Sequence, residues 1–194
     1  MAEHRGALPA DCWRRLFGND HPVALEVGPG RGEFLRAIAA ARPEWNFYAV
    51  ERSWTRTIGI EAALAANGPG NARVLWGDAG CVLPELPEGS AAAVFVQFPD
   101  PWWKRRHFKR RVWTPQLASA IRHVLAPGAE IEFLTDVEET FSLGLGCLDA
   151  EPGLERVAVG RLDSHDTNFA RKALERGAVI YRGVYRKSER KAES

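Results

Sequence analysis

Between Phe98 and Arg111 the chain sets Asp100 between Pro99 and Pro101, follows it with Trp102 and Trp103, and then places six cations, Lys104, Arg105, Arg106, Lys109, Arg110 and Arg111, with no acid among them. Proline locks φ and removes a backbone donor, so a carboxylate flanked by two prolines is held in place before any ligand arrives. A fixed carboxylate beside aromatic rings and unmixed positive charge suits the docking of a polyanion next to a reacting centre. With six of the 26 Lys and Arg and one of the 25 Asp and Glu gathered here, the remaining 20 bases face 24 acids, so the rest of the chain carries about four net negative charges. The positive field is local. A solvated helix face would mix the signs, and this strip does not.

A second constellation lies upstream. Gly28-Pro29-Gly30-Arg31-Gly32 follows the apolar run Val23 to Val27 and precedes Phe34-Leu35-Arg36-Ala37-Ile38, whose apolar spacing is helical. Glycines there let the backbone approach a ligand closely, but Glu33 stands where the dinucleotide fingerprint requires a third glycine, and its charge opposes a pyrophosphate. A nucleoside without phosphate and with a positive centre suits the turn better, and S-adenosylmethionine is one. Glu51, at the end of the next apolar run, is placed to accept bonds from ribose hydroxyls, and Asp78, after the third, to meet an adenine amino group. Glu26, Gly28, Gly30, Gly32, Glu51, Asp78 and Asp100 are therefore the candidate cofactor-binding residues. The competing reading, in which the glycines turn the chain and the acids cap helices, stays open.

These residues need a scaffold. Val23–Val27, Phe47–Val50, Arg73–Trp76, Ala93–Val96 and Glu130–Leu134 read as strands, with Ala178–Tyr181 and Val184-Tyr185 as strands or a hairpin near the end. Helical patterns follow Glu33 and run from Ile58 to Ala66, and Thr114-Pro115 starts a helix that Pro127-Gly128 is expected to end. Alternating strands and helices predict an α/β fold, a doubly wound and mostly parallel sheet with helices on both faces, in a single domain. The expected divisions are an N-terminal extension over 1–20, the domain over 21–187 and a disordered tail over 188–194. In such sheets ligands bind outside the carboxyl ends of the strands, where Glu26, Glu51, Asp78, Asp100 and Asp136 fall.

Other chemistries find little support. Cys12, Cys81 and Cys147 are odd in number and far apart, which suits neither a disulfide framework nor zinc, and no His and Cys cluster predicts a metal. No segment reaches the roughly 18 apolar residues of a membrane span, and Met1 to Arg5 lacks the apolar core of a signal peptide, so a cytoplasmic protein is expected.

Phe17-Gly18-Asn19, Glu26-Val27-Gly28-Pro29-Gly30-Arg31-Gly32, Pro99-Asp100-Pro101-Trp102 with Lys104-Arg105-Arg106-His107, Thr135-Asp136, and Thr167-Asn168-Phe169 before Lys172 and Gly177 together resemble the bacterial tRNA (guanine-N7-)-methyltransferases. The resemblance runs from about Trp13 to Arg186. It implies a class I methyltransferase sheet with Rossmann-like topology, bound S-adenosylmethionine, tRNA as partner, and methylation of N7 of a guanine in the variable loop. Glu26, Glu51, Asp78 and Asp100 match the family's cofactor-site acids, and Asp100 also its proposed catalytic residue. Lys104, Asp136 and the segment Thr167, Asn168, Phe169 match its substrate positions.

The chain departs from the family pattern at Ala170, where the family has Glu, and at Trp103, where it has Pro. Both changes sit on the substrate side. They leave room for an alternative, a homologue that binds S-adenosylmethionine and RNA with weakened catalysis and acts as a binding protein or partner subunit. Trp102, Trp103 or Phe169 are candidates to stack on an extruded base, the tryptophans being equally suited to the core. His107 fits a phosphate contact better than a general base, because N7 of neutral guanine already carries a lone pair.

The strip from Lys104 to Arg111 is expected to hold RNA through phosphates without reading sequence. Replacing Lys109, Arg110 and Arg111 together should weaken tRNA binding and flatten its salt dependence. In a titration of affinity against salt concentration, the log–log slope should fall by about 0.7 to 0.9 for each phosphate that the variant no longer neutralises.

Overall fold

A computed structural model describes residues 8–102, 111–162, 171 and 174–189. Val23–Val27 (β1) is buried at every position, the pattern of a strand covered on both faces. It lies inside a seven-stranded sheet with β2 (Asn46–Glu51), β3 (Ala72–Trp76), β4 (Ala91–Gln97), β5 (Leu125–Thr135), β6 (Leu154–Leu162) and β7 (Ile180–Lys187), in the order β3-β2-β1-β4-β5-β7-β6. The first five strands pair in parallel. β7 runs antiparallel between β5 and β6. Strand order reverses between β1 and β4, which opens a crevice at their carboxyl ends.

The helices are α1 (Cys12–Phe17), α2 (Glu33–Ala41), α3 (Trp54–Asn67), α4 (Ala79–Val82), α5 (Pro115–Val124) and α6 (Glu138–Asp149). On one face of the sheet Leu35, Ala39 and Ile60 of α2 and α3 pack against Ala24, Phe47, Ala49 and Ala72. On the other, Leu117 and Ile121 of α5 and Phe141 and Leu148 of α6 pack against Leu25, Val94, Val96, Ile131 and Phe133. The doubly wound, mostly parallel architecture expected from the strand and helix alternation is the one observed.

Three features differ from the sequence reading. The helix capped by Thr114, whose Oγ accepts from Leu117 N at 3.1 Å, ends at Val124 and not at Pro127-Gly128. That pair lies within β5: Ala91 pairs with Leu125 while Ala93 pairs with Glu130, so residues 126–129 form a bulge against β4. The C-terminal apolar stretches are one strand, β7, in which Gly183 breaks the apolar pattern because the Phe133 ring takes the space beside it. Edge strand β6, with few buried positions, carries no strand alternation and escaped notice, as did α1 and α6. The backbone of Ser188, just past β7, still donates to Gly153 O at 2.9 Å. No helix among the described residues is long and apolar enough to cross a membrane.

A Cβ at Gly183 would stand 2.2 Å from a carbon of the Phe133 ring, whereas one at Gly160 on β6 would have no neighbour within 4 Å. Gly183→Ala is expected to lower unfolding free energy in urea by about 1 to 3 kcal/mol. Gly160→Ala should change it by less than about 0.5 kcal/mol.

Candidate active site

The turn after β1 holds Gly28 at φ 71° and Gly30 at φ 62°, left-handed values that side chains rarely adopt. Gly32 answers a second demand, because a Cβ there would meet Ile60 at 3.0 Å and push α2 away from α3. The turn is fastened from the next strand. Gly28 N donates to Val50 O at 2.9 Å, and Gly30 N donates to Glu51 Oε2 at 3.0 Å. The other oxygen of Glu51 accepts from Ser53 N at 2.8 Å, and the Ser53 side chain caps α3. Glu51 is thus buried, and its carboxylate ties the turn after β1 to the turn after β2.

Glu26 faces a different environment. It is 3% exposed, its Oε2 has no hydrogen-bond partner, and burial together with the nearby charge of Glu51 pushes its pKa up to about 8. No protein group donates to that oxygen to favour its charge. Asp78 caps α4, accepting from Gly80 N at 2.9 Å, and lies 3.8 Å from the Arg52 guanidinium. Helix capping, left open by the sequence, is what Asp78 does here, on the wall of the same cavity.

Asp100 projects from the segment that leaves β4. Phe98 at φ 48° and Trp102 at φ 46° bracket Pro99-Asp100-Pro101, both bulky residues in the left-handed region. Strain of this kind persists only where surrounding contacts impose it, and Phe98 N donates to Leu134 O at 2.8 Å on β5. A guanidinium nitrogen of Arg56, on α3, reaches to 3.8 Å from Asp100. A cavity of about 1080 Å³ joins these parts, lined by Glu26, the glycine turn, Glu51, Asp78, Gln97, Asp100 and Trp102 among others. The sheet's reversal point and this cavity coincide.

Other expected site residues divide into three groups. Arg111 lines the cavity and pairs with Glu139 of α6 at 2.6 Å. Asp136 is exposed at the end of β5 and is not among the lining residues. Trp103, Lys104, Arg105, Arg106, His107, Lys109, Arg110, Thr167, Asn168, Phe169 and Ala170 lie outside the described residues. Among the described residues no group of His, Cys, Asp and Glu could hold a metal ion. Sequence reasoning missed Gln97 and Arg56. The only local sign of Gln97 is a polar residue closing an apolar strand, and Arg56 is one exposed arginine of a helix.

Without ligand, Glu26 should cost stability as pH rises. Its folded pKa lies above the unfolded value of about 4.5, so its contribution is full below pH 4.5 and is lost as pH climbs to about 8. Glu26→Gln keeps the shape and removes the titration. Relative to the parent chain it should gain about 2 to 5 kcal/mol between pH 5 and pH 9, read from urea unfolding at each pH.

A family model described as "Putative methyltransferase" matches residues 20–182. Among solved structures, the 16S rRNA (adenine(1408)-N(1))-methyltransferase of Catenulisporales acidiphilia, with cosubstrate SAM, superposes with a TM-score of 0.69 at 22% identity, covering 96% of this chain and 95% of that one. The 16S rRNA methyltransferase KamB gives a TM-score of 0.70 at 19% identity, with 95% of each chain covered. Both are likenesses of fold. In sequence, the tRNA (guanine-N(7)-)-methyltransferase of Acidithiobacillus ferrooxidans is 35% identical over 96% of this chain and 86% of its own length. That of Rhodopirellula baltica is 36% identical over 89% of this chain and 68% of its own. With identity at that level over nearly the whole chain, the chain belongs to the tRNA (guanine-N(7)-)-methyltransferase family.

Proposed function

We propose that this chain transfers a methyl group from S-adenosylmethionine to N7 of a guanine in tRNA, the variable loop being the region that the motif resemblance indicates. The observation that carries the reading is the cavity running from the partnerless carboxyl of Glu26 and the glycine turn to Asp100. The names of its curated relatives supply the reaction class.

The residues fit the donor. A buried carboxyl without a partner suits an ammonium group, whose arrival would favour the ionised form that burial now opposes. Glycines at 28 and 30, with no atom within 4 Å of where a Cβ would stand, leave room for a ligand against the backbone. Glu51 retains a free lone pair on each oxygen for ribose hydroxyls, and Asp78 one oxygen beyond its cap for an adenine amino group. S-adenosylmethionine, when bound, supplies an electrophilic methyl group.

The work left to the protein is alignment and charge. N7 of guanine carries its lone pair at neutral pH, so no base must remove a proton first. Holding nucleophile and electrophile in line supplies several kcal/mol, up to about 7 to 11 in ideal cases. Positive charge moves onto the base as the bond forms, and Asp100, held between prolines, is placed to accept from the N1 and N2 protons and to favour that charge. Trp102 lines the cavity beside it, a surface on which the base can stack. Ala170, the residue behind the weakened alternative, lies outside the described residues, and nothing in the described site favours loss of turnover.

Incubation with labelled S-adenosylmethionine and unmodified tRNA, followed by nucleoside analysis, should yield 7-methylguanosine. Asp100→Ala should lower the single-turnover rate by about 100-fold or more while changing tRNA affinity by less than about threefold. A different methylated nucleoside would overturn the assignment, and a parallel loss of affinity would reduce Asp100 to a binding role.

A further inference from the structure

Trp54 and Trp76 are the two most exposed large apolar side chains among the described residues, at 57% and 54%. Trp54 opens α3 and Trp76 closes the edge strand β3, and their rings meet edge to face with centroids 5.2 Å apart and planes at 71°. Trp76 Nε1 donates to Arg52 O at 3.1 Å, so the pair is fixed in place before any ligand arrives. An edge-to-face contact covers one face of one ring only, which leaves ring faces available. Ile58, one turn further along α3, is exposed as well and extends the apolar patch. Scattered apolar side chains on a surface are ordinary, but a joined aromatic pair with an apolar neighbour marks a place where something binds.

The position of the pair indicates what binds. Trp76 pairs in register with Glu51 of the cavity wall, and neighbouring strands lie about 4.8 Å apart. Arg52, Ser53 and Arg56, on either side of Trp54, line the cavity, as do Gly77 and Asp78 directly after Trp76. The tryptophans themselves do not, so they stand on its rim, outside the methyl-donor site. Arg52 and Arg56 add positive charge beside the rings, with exposed guanidinium groups held only by contacts of 3.8 Å. A macromolecule seated on this rim also covers the entrance to the cavity, and the one that must be there in every turnover is the RNA. A second copy in that place would obstruct it. Open aromatic faces between cations suit single-stranded nucleic acid, whose bases stack while its phosphates meet the cations. We infer that Trp54 and Trp76 form a stacking platform for unpaired nucleotides that flank the methylated guanine, with Arg52 and Arg56 holding their phosphates. The inference rests on the proposed tRNA methylation and adds an RNA surface separate in sequence from the strip Lys104 to Arg111.

The test separates stacking from charge and RNA from methyl donor. Fluorescence anisotropy with labelled unmodified tRNA at several salt concentrations gives an affinity and a salt slope for each variant, and calorimetry gives its affinity for S-adenosylhomocysteine. Trp54→Ala and Trp76→Ala should each weaken tRNA binding by roughly 5- to 100-fold. The log–log salt slope should stay as in the parent, because a stacked base releases no counterion. Trp54→Phe, which keeps a ring face, should recover most of the loss, and Trp54→Leu, which keeps apolar bulk alone, should not. Arg52→Gln combined with Arg56→Gln should instead lower the slope by about 0.7 for each phosphate no longer neutralised. S-adenosylhomocysteine should bind the tryptophan variants within about twofold of the parent, which also shows that they fold. Unchanged tRNA affinity in both alanine variants, equal rescue by Leu and Phe, an unchanged slope in the arginine variant, or a matching loss of S-adenosylhomocysteine would overturn the platform. So would a parent dimer, seen by light scattering, that Trp54→Ala splits into monomers, since a second copy would then cover the patch. If the parent binds S-adenosylhomocysteine but neither binds nor methylates tRNA, the proposed function falls first and this inference with it.

Discussion

One carboxylate couples the parts of this site. Glu51 commits one oxygen to Gly30 N and the other to Ser53 N, and so locks the glycine turn after β1 to the start of α3. Charge-assisted bonds of this kind are roughly twice as strong as neutral ones, and burial shields them from water. Its backbone oxygen also accepts from Gly77 N at 2.9 Å, which brings the turn after β3 into the same assembly. Three strand ends are thereby set against one another, and the cavity takes its floor from them. Burial raises the pKa of Glu26 and the same charge adds to the rise, so the clamp that shapes the pocket also acts on its least satisfied carboxyl.

Binding competence and stability pull in opposite directions here. Glu26 and Gln97 sit where packing alone would favour apolar side chains, and their orphaned atoms lower stability in the absence of ligand. The loss is tolerable because both faces of the sheet are filled elsewhere, around Phe47, Leu35 and Ile60 on one side and Phe133, Ile121 and Trp113 on the other. The Trp113, Phe133 and Phe141 rings, with centroids 4.8 and 5.3 Å apart in succession, stiffen the side from which β4 and β5 present the Asp100 segment. Strain at Phe98 and Trp102 belongs with these costs. It keeps Asp100 projecting while the strands beneath it remain regular.

Arginines set the cavity's rim. Arg56 reaches from α3 to Asp100 across the opening, Arg52 lies near Asp78, and Arg111 is bound to Glu139. Long contacts of 3.8 Å between half-exposed partners are weak and screened by salt. They hold Asp78 and Asp100 only loosely. Arg111 differs, with a short contact and a largely covered side chain, which anchors the end of the basic strip to the domain through α6.

The sequence by itself determined the elements whose signals are local. Five strands were legible as short apolar runs, β1 most plainly because a strand buried on both faces is apolar almost throughout, and the helix start at Thr114-Pro115 because capping is decided within four residues. The glycine turn, Glu26, Glu51, Asp78 and Asp100 were legible because ligands to parallel sheets gather at strand ends, a rule that needs only strand boundaries. Tertiary structure decided the rest. Pro127-Gly128 became a bulge because β5 starts early to pair with Ala91, a long-range hydrogen-bonding choice with no local mark. Gly183 could join one strand only because Phe133 fills its missing side chain. Whether Glu51 would clamp the turn or stand free for ribose depended on where Gly30 N points, 21 residues away. Gln97 lines the cavity buried and without partners, and that burial depends on every layer packed above it rather than on the residue or its neighbours in the chain.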